Sequence, residues 1–247
     1  MDLYGIIGYP LGHSRSPQYF NERFQKAGMD AQYLPFEMED IRELEILLAR
    51  HSQLKGFNVT IPHKQNILPF LDEISDEAQA IGAVNCVKVE HRDGKARLSG
   101  YNTDVHGFRK ALLDFIPQNI DKALVLGNGG AAKAVRYALH SLQMEVLTVS
   151  RTPKQADEIG YADVYRHLPD FRLIVNTTPL GTWPRTESCP ALPYELLTPE
   201  HYLFDLVYNP ETTTFMQKGK IAGAHTCNGQ SMWAEQAEKN WEIWTIS

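Results

Sequence analysis

The segment GFNVTIPHKQ, residues 56–65, combines an apolar strand pattern with side chains that can do chemistry. Asn58 and Thr60 interrupt the apolar run, and Lys64 follows just past a break at Pro62. Buried polar groups are costly unless they are hydrogen-bonded, so these side chains either bond to backbone or face a pocket. Side chains alternate along a strand, so Asn58 and Thr60 are expected to share one face. From this segment alone both possibilities remain open.

A glycine-rich turn, LVLGNGGAAKAV, stands between an apolar strand and an alanine-rich helix. Gly127 allows the tight turn, Gly129 lets backbone approach a pyrophosphate, and the helix N-terminus offers unpaired N–H groups. Ala132 stands at the third glycine position of the G-x-G-x-x-G fingerprint, a replacement that the fingerprint tolerates. The strand–turn–helix context favours a dinucleotide site over a purely structural turn.

The end of the following strand, in TVSRTPK, indicates which dinucleotide binds. In NAD sites a carboxylate ~20 residues after the glycine turn binds the ribose 2′-hydroxyl. Here Ser150, Arg151 and Thr152 stand instead, with Lys154 beyond. A guanidinium and two hydroxyls suit a 2′-phosphate, so the sequence predicts NADP rather than NAD. The alternative is that Arg151 is a solvated strand-end charge.

Other polar clusters lie where strands end and helices begin. GHSRSP places Ser14 and Ser16 two residues apart, so that they could bind a carboxylate or polyol from an extended segment, or cap the next helix. GYNTDVHGF contains Asn102 and Asp104, and Asp104 could cap a helix or face a cleft. NTTPLG and DLVYNP each follow a strand, where ligands bind in open α/β sheets.

Short apolar strands alternate with amphipathic helices throughout, a pattern typical of α/β folds with mostly parallel sheets. In the first half we predict strands over residues 3–8, 31–37 and 56–61, helices over 17–27 and 41–50, and a hairpin around HRDGK. The second half is predicted to run from a strand, glycine turn and helix through further strands to a final helix, SMWAEQAEKNWEIW. Two domains are expected, with a boundary near residues 100–108.

Composition excludes several classes of protein. The 247 residues carry a net charge of −6, which argues against a general binder of nucleic acid or anionic membranes. We expect no membrane-spanning helix and no signal peptide. Three widely spaced cysteines show no metal-ligand spacing, so neither a disulfide framework nor a metal site is predicted. A reducing cytoplasm is the expected location.

Nine segments together resemble, in order, the motif series of the shikimate dehydrogenase family. They are GHSRSP, GFNVTIPHK, IGAVN, GYNTDVHGF, LGNGGAAKAV, SRT, NTTPLG, DLVYNPETTTF and NGQSMWAEQA, and they span the chain from Tyr4 to Ala237. The resemblance implies a two-domain α/β enzyme. It implies a substrate-binding catalytic domain at residues 1–102, completed by a C-terminal helix at 230–247 that returns to it, and a Rossmann-like NADP-binding domain at 103–229.

The resemblance also implies an activity and a site. The activity is the NADPH-dependent reversible reduction of 3-dehydroshikimate to shikimate, in aromatic amino acid biosynthesis, by a monomer or homodimer. Lys64 and Asp104 are implied as the catalytic pair, with Lys64 as proton donor. Substrate contacts are implied for Ser14, Ser16, Asn58, Thr60, Asn85, Tyr208 and Gln236. Cofactor contacts are implied for Gly127, Asn128, Gly129, Gly130, Ala131, Ser150, Arg151, Thr152, Thr177, Leu206 and Gly229.

The chain departs from the family pattern at three positions. Ser150 replaces the usual asparagine before the Arg-Thr pair, Asn128 stands where alanine is common, and Trp233 replaces the usual leucine after a methionine. These departures concern cofactor affinity and selectivity and leave the catalytic pair intact. Two alternative functions remain: a quinate/shikimate dehydrogenase that uses NAD, and a non-enzymatic metabolite-binding homologue. The first would favour a carboxylate near Arg151, and the second would be expected to lack Lys64 or Asp104.

Overall fold

The chain folds into two compact units, described here from a computed structural model that covers residues 1–12, 14–92 and 94–245. Unit 1 contains residues 1–103 together with the C-terminal segment from Ala237, and unit 2 contains Asp104–Gln236. Three predicted segments include residues outside the described ranges: His13 in GHSRSP, Asp93 in the hairpin turn, and residues 246–247 of the final helix.

Unit 1 is built on a six-stranded mixed sheet. Its strands are β1 (Asp2–Gly8), β2 (Ala31–Glu37), β3 (Leu54–Val59), β4 (Glu73–Ile74), β5 (Cys86–Arg92) and β6 (Lys95–Tyr101), in the order β2-β1-β3-β5-β6-β4. Its helices are α1 (Ser16–Lys26), α2 (Leu44–Arg50) and α3 (Asp76–Ile81). β1 pairs in parallel with both β2 and β3, whereas β5 and β6 form the predicted antiparallel hairpin.

Both faces of this sheet are covered by apolar side chains. One core contains Phe57, Val87 and Leu98, and the other contains Phe20 and Phe24 of α1. Trp244 from the end of the chain joins the second core, where its ring packs beside Phe20 at 5.1 Å between centroids. Its indole Nε1 donates a hydrogen bond to the Val87 carbonyl, so the C-terminal segment is fixed to unit 1 by both packing and a polar contact.

Unit 2 contains a six-stranded, fully parallel sheet. Its elements are α4 (Asp104–Phe115), β7 (Lys122–Leu126), α5 (Gly130–Ser141), β8 (Glu145–Ser150), β9 (Glu158–Gly160), α6 (Val164–His167), β10 (Leu173–Asn176), β11 (Tyr202–Asp205), α7 (Thr214–Ile221) and β12 (His225–Cys227). The strands lie in the order β12-β11-β10-β7-β8-β9. Numbered from β7, this is the 3-2-1-4-5-6 order of dinucleotide-binding sheets, and the order reverses between β7 and β10. The carboxyl ends of those strands are where a dinucleotide binds.

The last helix, α8 (Gln230–Thr245), contributes to both units. Its residues up to Gln236 belong to unit 2 and those from Ala237 belong to unit 1. Within unit 2, α8 lies so close to α4 that a Cβ at Gly107 would collide with the Met232 carbonyl oxygen. Glycine at 107 therefore permits the close approach of these two helices.

Several predicted elements have different bounds in the structure. The strand predicted over 56–61 begins at Leu54 and ends at Val59, because the Thr60 carbonyl already accepts a hydrogen bond from His63 N in the following turn, at 2.8 Å. The helix predicted over 41–50 begins as a 3-10 turn, Ile41–Glu43, before α2. The short elements β4, β9, α3 and α7 were not predicted, because so few residues show little periodicity.

Candidate functional site

Asn58 lies near the carboxyl end of β3 and is held by two hydrogen bonds. Its Oδ1 accepts from the Tyr33 hydroxyl at 2.7 Å, and its Nδ2 donates to the Asn85 carbonyl oxygen at 3.1 Å. Asn58 is only 6% exposed, so these bonds satisfy amide atoms that would otherwise be costly to bury. Burial raises the pKa of the Tyr33 phenol well above its usual range, which keeps it a donor. The polar interruption of the strand is therefore a fixed feature of the sheet.

Asn85 fixes the segment that leads out of unit 1. Its Oδ1 accepts from Thr103 N at 2.7 Å, and its Nδ2 donates to Thr103 Oγ1 at 3.0 Å. Thr103 Oγ1 lies 2.7 Å from Oδ1 of Asn240, a fully buried residue of α8. Asn102, next to Thr103, donates from Nδ2 to the Ala83 carbonyl at 2.9 Å. These amides hold the strand end and the final helix together within unit 1.

Lys64 lies in a turn that is anchored on both sides. Its carbonyl oxygen accepts from Val84 N at 2.8 Å, and its side chain is half-buried. The preceding residue, His63, is 1% exposed, and its Nε2 lies 2.8 Å from the Met38 carbonyl oxygen. A carbonyl only accepts, so Nε2 carries the proton. Thr60 opens the turn and remains attached to β1 through its N–H, which donates to the Ile7 carbonyl at 2.9 Å.

The backbone conformation at Ser14 and Ser16 differs from the one expected. Ser16 is the first residue of α1 and is buried. Ser14 precedes the helix in a turn, where its N–H donates to the Leu11 carbonyl. Ser14 Oγ accepts from Ser16 N at 3.3 Å. The prediction that this segment is extended is therefore wrong, because the chain turns before the helix. The assigned N-cap residue, Arg15, makes no side-chain cap bond, but the Ser14 hydroxyl accepts from a first-turn N–H, which agrees with the helix-cap alternative.

Asp104 is the first residue of α4 in unit 2 and is 7% exposed. A carboxylate in the first turn of a helix interacts favourably with the helix dipole. Asp104 belongs to unit 2, whereas Lys64 belongs to unit 1.

The glycine turn has the geometry that a pyrophosphate site requires. Gly127 has a φ of +108°, which L side chains rarely adopt, and a Cβ there would lie 2.9 Å from Thr177 Oγ1. Gly129 is the N-cap of α5, without a side-chain cap bond, and Gly130 and Ala131 form its first turn. A Cβ at Gly129 would meet no atom of the described residues within 4 Å, so the space beside this turn is open. The residues present thus fit a phosphate at the start of α5.

The end of β8 presents the side chains predicted to select the cofactor. Arg151 and Thr152 are exposed, and Ser150 is the last residue of the strand. The Ser150 Oγ is buried without a hydrogen-bond partner in the described part of the chain. An orphaned buried hydroxyl is costly unless something binds it, so this atom also fits a site for a bound group.

A buried carboxylate supports the neighbouring strand ends. Asp205, at the end of β11, accepts from Asn176 Nδ2 at 2.9 Å, Val207 N at 3.1 Å and Thr213 Oγ1 at 2.6 Å. Burial raises the pKa of Asp205 to about 6, although these donors oppose the shift. Thr177 follows Asn176, and its Oγ1 donates to the Leu126 carbonyl at 2.6 Å. The network positions the loops that carry two implied cofactor residues, Thr177 and Leu206.

Four implied residues of unit 2 lie near the start of α8, in two contacts. The Tyr208 and Trp233 rings are 6.0 Å apart, and Gln236 Nε2 donates to the Trp233 carbonyl at 3.1 Å. Gly229 lies against Leu206, where a Cβ would collide with the Leu206 carbonyl oxygen. Trp233, one of the three departures from the family pattern, thus contacts an implied substrate residue.

Sequence reasoning missed four residues that support the site: Tyr33, Thr103, His63 and Glu158. Each acts through a partner that is distant in sequence, such as Asn58 for Tyr33 and Asn85 for Thr103. The sequence signal was a polar residue in an apolar segment. Such a residue does not show which other residue it bonds to.

Among the described residues there is no group of three or more His, Cys, Asp or Glu side chains that could hold a metal ion. None of the helices in the described ranges is both long and apolar enough to cross a membrane.

Comparison with known proteins decides the family. The model of the shikimate dehydrogenase substrate-binding domain matches residues 6–87. An NADP(+) shikimate dehydrogenase of Carboxydothermus hydrogenoformans is 38% identical over 262 residues, covering 98% of this chain and 91% of that protein. The chain belongs to the shikimate dehydrogenase family.

Solved structures of this family and its relatives share the fold. Shikimate 5-dehydrogenase of Thermus thermophilus, in complex with NADP(H) and shikimate, has a TM-score of 0.85 and 34% identity, over 99% of this chain and 94% of that one. Quinate dehydrogenase of Corynebacterium glutamicum, in complex with NAD, has a TM-score of 0.87 and 27% identity, over 99% and 93% of the two chains. The predicted shikimate dehydrogenase family and two-domain α/β fold are therefore confirmed. Since proteins with different cofactors share the fold, individual residues must distinguish them.

Proposed function

We propose that this protein is an NADP-dependent shikimate dehydrogenase, which reversibly reduces 3-dehydroshikimate to shikimate. The observation that carries the proposal is the combination of 38% identity to a named NADP(+) shikimate dehydrogenase with the presence of Lys64, Asp104 and Arg151 in their motifs. A non-enzymatic homologue would have no need to keep the first two. The reaction belongs to aromatic amino acid biosynthesis, and we place it in the cytoplasm, in a monomer or homodimer.

The substrate is a hydroxylated ring acid, and the proposed contacts match its groups. Ser14 and Ser16 bind the carboxylate through hydroxyl donors. Asn58, Thr60 and Asn85 are the proposed contacts of the ring hydroxyls. Tyr208 and Gln236 are further proposed substrate contacts. Asn58 is suited to recognition because Tyr33 and the Asn85 carbonyl already fix its orientation.

Lys64 and Asp104 form the proposed catalytic pair. Negative charge develops on the substrate carbonyl oxygen during reduction, and the Lys64 ammonium stabilises it and donates the proton. In the oxidation of shikimate, neutral Lys64 accepts the proton of the reacting hydroxyl. The turn held by His63 and Val84 limits the positions that Lys64 can take.

NADPH, when bound, supplies the hydride. The turn from Gly127 to Ala131, including Asn128, Gly129 and Gly130, would hold its pyrophosphate at the start of α5. Ser150, Arg151 and Thr152 would hold the adenosine ribose and its 2′-phosphate. Thr177, Leu206 and Gly229 would hold the nicotinamide half. Proposed cofactor contacts thus follow β7, β8, β10, β11 and β12 in the sheet.

A second candidate is quinate/shikimate dehydrogenation with NAD, because the fold of an NAD-bound quinate dehydrogenase matches at a TM-score of 0.87. Arg151 favours NADP, since a guanidinium pairs with a 2′-phosphate that NAD lacks. The test is reduced-nicotinamide absorbance with shikimate or quinate, each paired with NADP⁺ or NAD⁺. We expect the highest kcat/KM for shikimate with NADP⁺. A highest value for quinate with NAD⁺ supports the second candidate, and no turnover in any pairing contradicts both.

A further inference from the structure

Glu158 is a buried carboxylate beside the proposed adenosine site, and it is not among the proposed catalytic, substrate or cofactor contacts. It is the first residue of β9, it is 7% exposed, and β9 pairs with the end of β8. Burying a carboxylate is costly unless donors satisfy its oxygens. A negative charge beside a phosphate site would also repel the ligand. Its presence there calls for a physical explanation.

Both oxygens of Glu158 bind donors from two different parts of the cofactor site. Oε1 accepts from Asn128 Nδ2 in the glycine turn at 2.6 Å. Oε2 accepts from Lys154 N, in the loop after β8, at 2.7 Å. Glu158 therefore links the turn that receives the pyrophosphate to the loop that continues from Arg151.

A second contact holds the same loop from helix α5. Arg136 of α5 forms an ion pair with Asp157 at 2.6 Å, and the Asp157 carbonyl accepts from Thr148 N at 2.9 Å. The loop thus has fixed backbone at Lys154 and Asp157, while residues 151–156 are exposed. Exposed side chains on a fixed backbone are preorganised for a ligand, which reduces the ordering cost of binding.

We propose that Glu158 is a positioning residue that links Asn128 to the loop of residues 151–157 and thereby sets the preference for 2′-phosphorylated dinucleotides. This inference rests on the proposed assignment of the glycine turn and Arg151 to NADP. Asn128 then serves as a donor to Glu158 in addition to its proposed place in the cofactor site. The preference arises because only the 2′-phosphate uses the side chains of this loop, whereas the pyrophosphate is common to NADP and NAD.

The test compares the binding of NADP⁺ and NAD⁺ to the apoprotein by calorimetry, without substrate. Glu158→Gln keeps the shape but allows only one of the two donors to be accepted. Asn128→Ala removes the other end of the link from an exposed turn. For Glu158→Gln we expect the Kd of NADP⁺ to rise about tenfold, equivalent to about 1.4 kcal/mol, while the Kd of NAD⁺ changes less than about twofold. For Asn128→Ala, whose side chain lies in the proposed pyrophosphate turn, we expect both Kd values to rise, with the larger rise for NADP⁺. Glu145→Gln is the matched control, because Glu145 lies at the opposite end of β8 and pairs with Lys122.

A double variant tests whether the bond itself matters. In Asn128→Asp with Glu158→Gln, the glutamine amide can donate to the new carboxylate while its oxygen accepts from Lys154 N. We expect the ratio of the two Kd values to return towards that of the wild type. An equal loss of NADP⁺ and NAD⁺ binding would overturn the proposal, as would an unchanged ratio. A ratio that shifts towards NADP⁺ would show that Glu158 repels the phosphate, and would overturn it too.

The two proposals fail in different ways in this design. A wild type that prefers NADP⁺ but does not turn over shikimate contradicts the proposed function while the variants still test Glu158. A wild type without any preference for NADP⁺ contradicts the cofactor assignment and the Glu158 proposal together. Melting temperatures within about 5 °C of the wild type would show that each variant is folded.

Discussion

The Tyr33 hydroxyl donates to Asn58 Oδ1 at 2.7 Å, within the buried sheet of unit 1. This bond links neither sequence neighbours nor adjacent strands, since β1 lies between β2 and β3. It fixes the amide that we assign to substrate hydroxyl recognition. The Tyr33 ring also stacks on Phe20 at 4.8 Å between centroids, so the donor itself is fixed by packing.

Removing the Tyr33 hydroxyl should affect stability and substrate binding together. Tyr33→Phe leaves Asn58 Oδ1 buried without its donor, so we expect the free energy of unfolding to fall by about 1–2 kcal/mol. The KM for shikimate should rise several-fold while kcat changes less, because Asn58 loses its fixed orientation. Urea unfolding and steady-state kinetics measure both. Tyr165→Phe, at an exposed site in unit 2, is the control, and equal effects from the two variants would contradict the role of Tyr33.

Removing the Lys64 ammonium should affect turnover far more than affinity. For Lys64→Ala we expect kcat to fall by about 10²–10⁴, the usual contribution of a positioned proton donor, while the KM for shikimate changes much less. Initial rates from nicotinamide absorbance provide the measurement. Lys95→Ala, in the exposed hairpin, should keep normal turnover. Near-normal turnover of Lys64→Ala would refute the assignment.

Two glycines of the same turn should respond differently to alanine. Gly127→Ala forces a side chain to a φ of +108° and towards Thr177, so we expect about 1–3 kcal/mol of lost stability as well as weaker NADP⁺ binding. Gly129→Ala meets no atom of the protein, so the apoprotein should keep its stability while NADP⁺ binding weakens. Thermal unfolding without cofactor and calorimetric binding separate the two effects. Unchanged NADP⁺ affinity in Gly129→Ala would contradict the placement of the pyrophosphate.

Asp205 should make stability depend on pH below neutrality. Its pKa is about 6 in the fold, compared with an ordinary value of 3.8, so the folded protein binds the proton more tightly. This contribution is fully present below pH ~4 and is lost as the pH rises through ~6, with a total of about 3 kcal/mol. Asp205→Asn cannot titrate at this site. The difference in free energy of unfolding between the wild type and the variant should therefore fall by about that amount between pH 4 and 7. A difference that stays constant with pH would contradict the raised pKa of Asp205.

Much of the fold could be predicted because its signals are local. The strand, glycine turn and helix around Gly127 carry their own residue pattern, and the hairpin of β5 and β6 shows both strands and a turn. The order of strands in unit 2 is not a local property, since it depends on which strand ends lie side by side. The end of β3 was misplaced because Thr60 and Ile61 suit a strand, while the hydrogen bond that starts the turn is invisible in the sequence.

The candidate site shows the same division between local and long-range information. Lys64 and Arg151 could be assigned because they lie in recognisable motifs. Glu158 could not be assigned, because its proposed role depends on two hydrogen-bond donors, one of them 30 residues earlier in the chain. Tyr33 and Thr103 likewise gain their roles only from partners that the fold brings near.

The division of α8 between the two units has a consequence for synthesis on the ribosome. Residues 1–103 are translated first, yet the core of unit 1 also contains Trp244, and its polar network includes Asn240. The nascent chain must therefore keep Phe20 and Tyr4 incompletely covered while all of unit 2 is being made. Domains generally fold as they emerge, so unit 2 can complete its sheet first although it is encoded second. Residues 1–103 thus form a complete unit only after the segment that begins at Ala237 has been made.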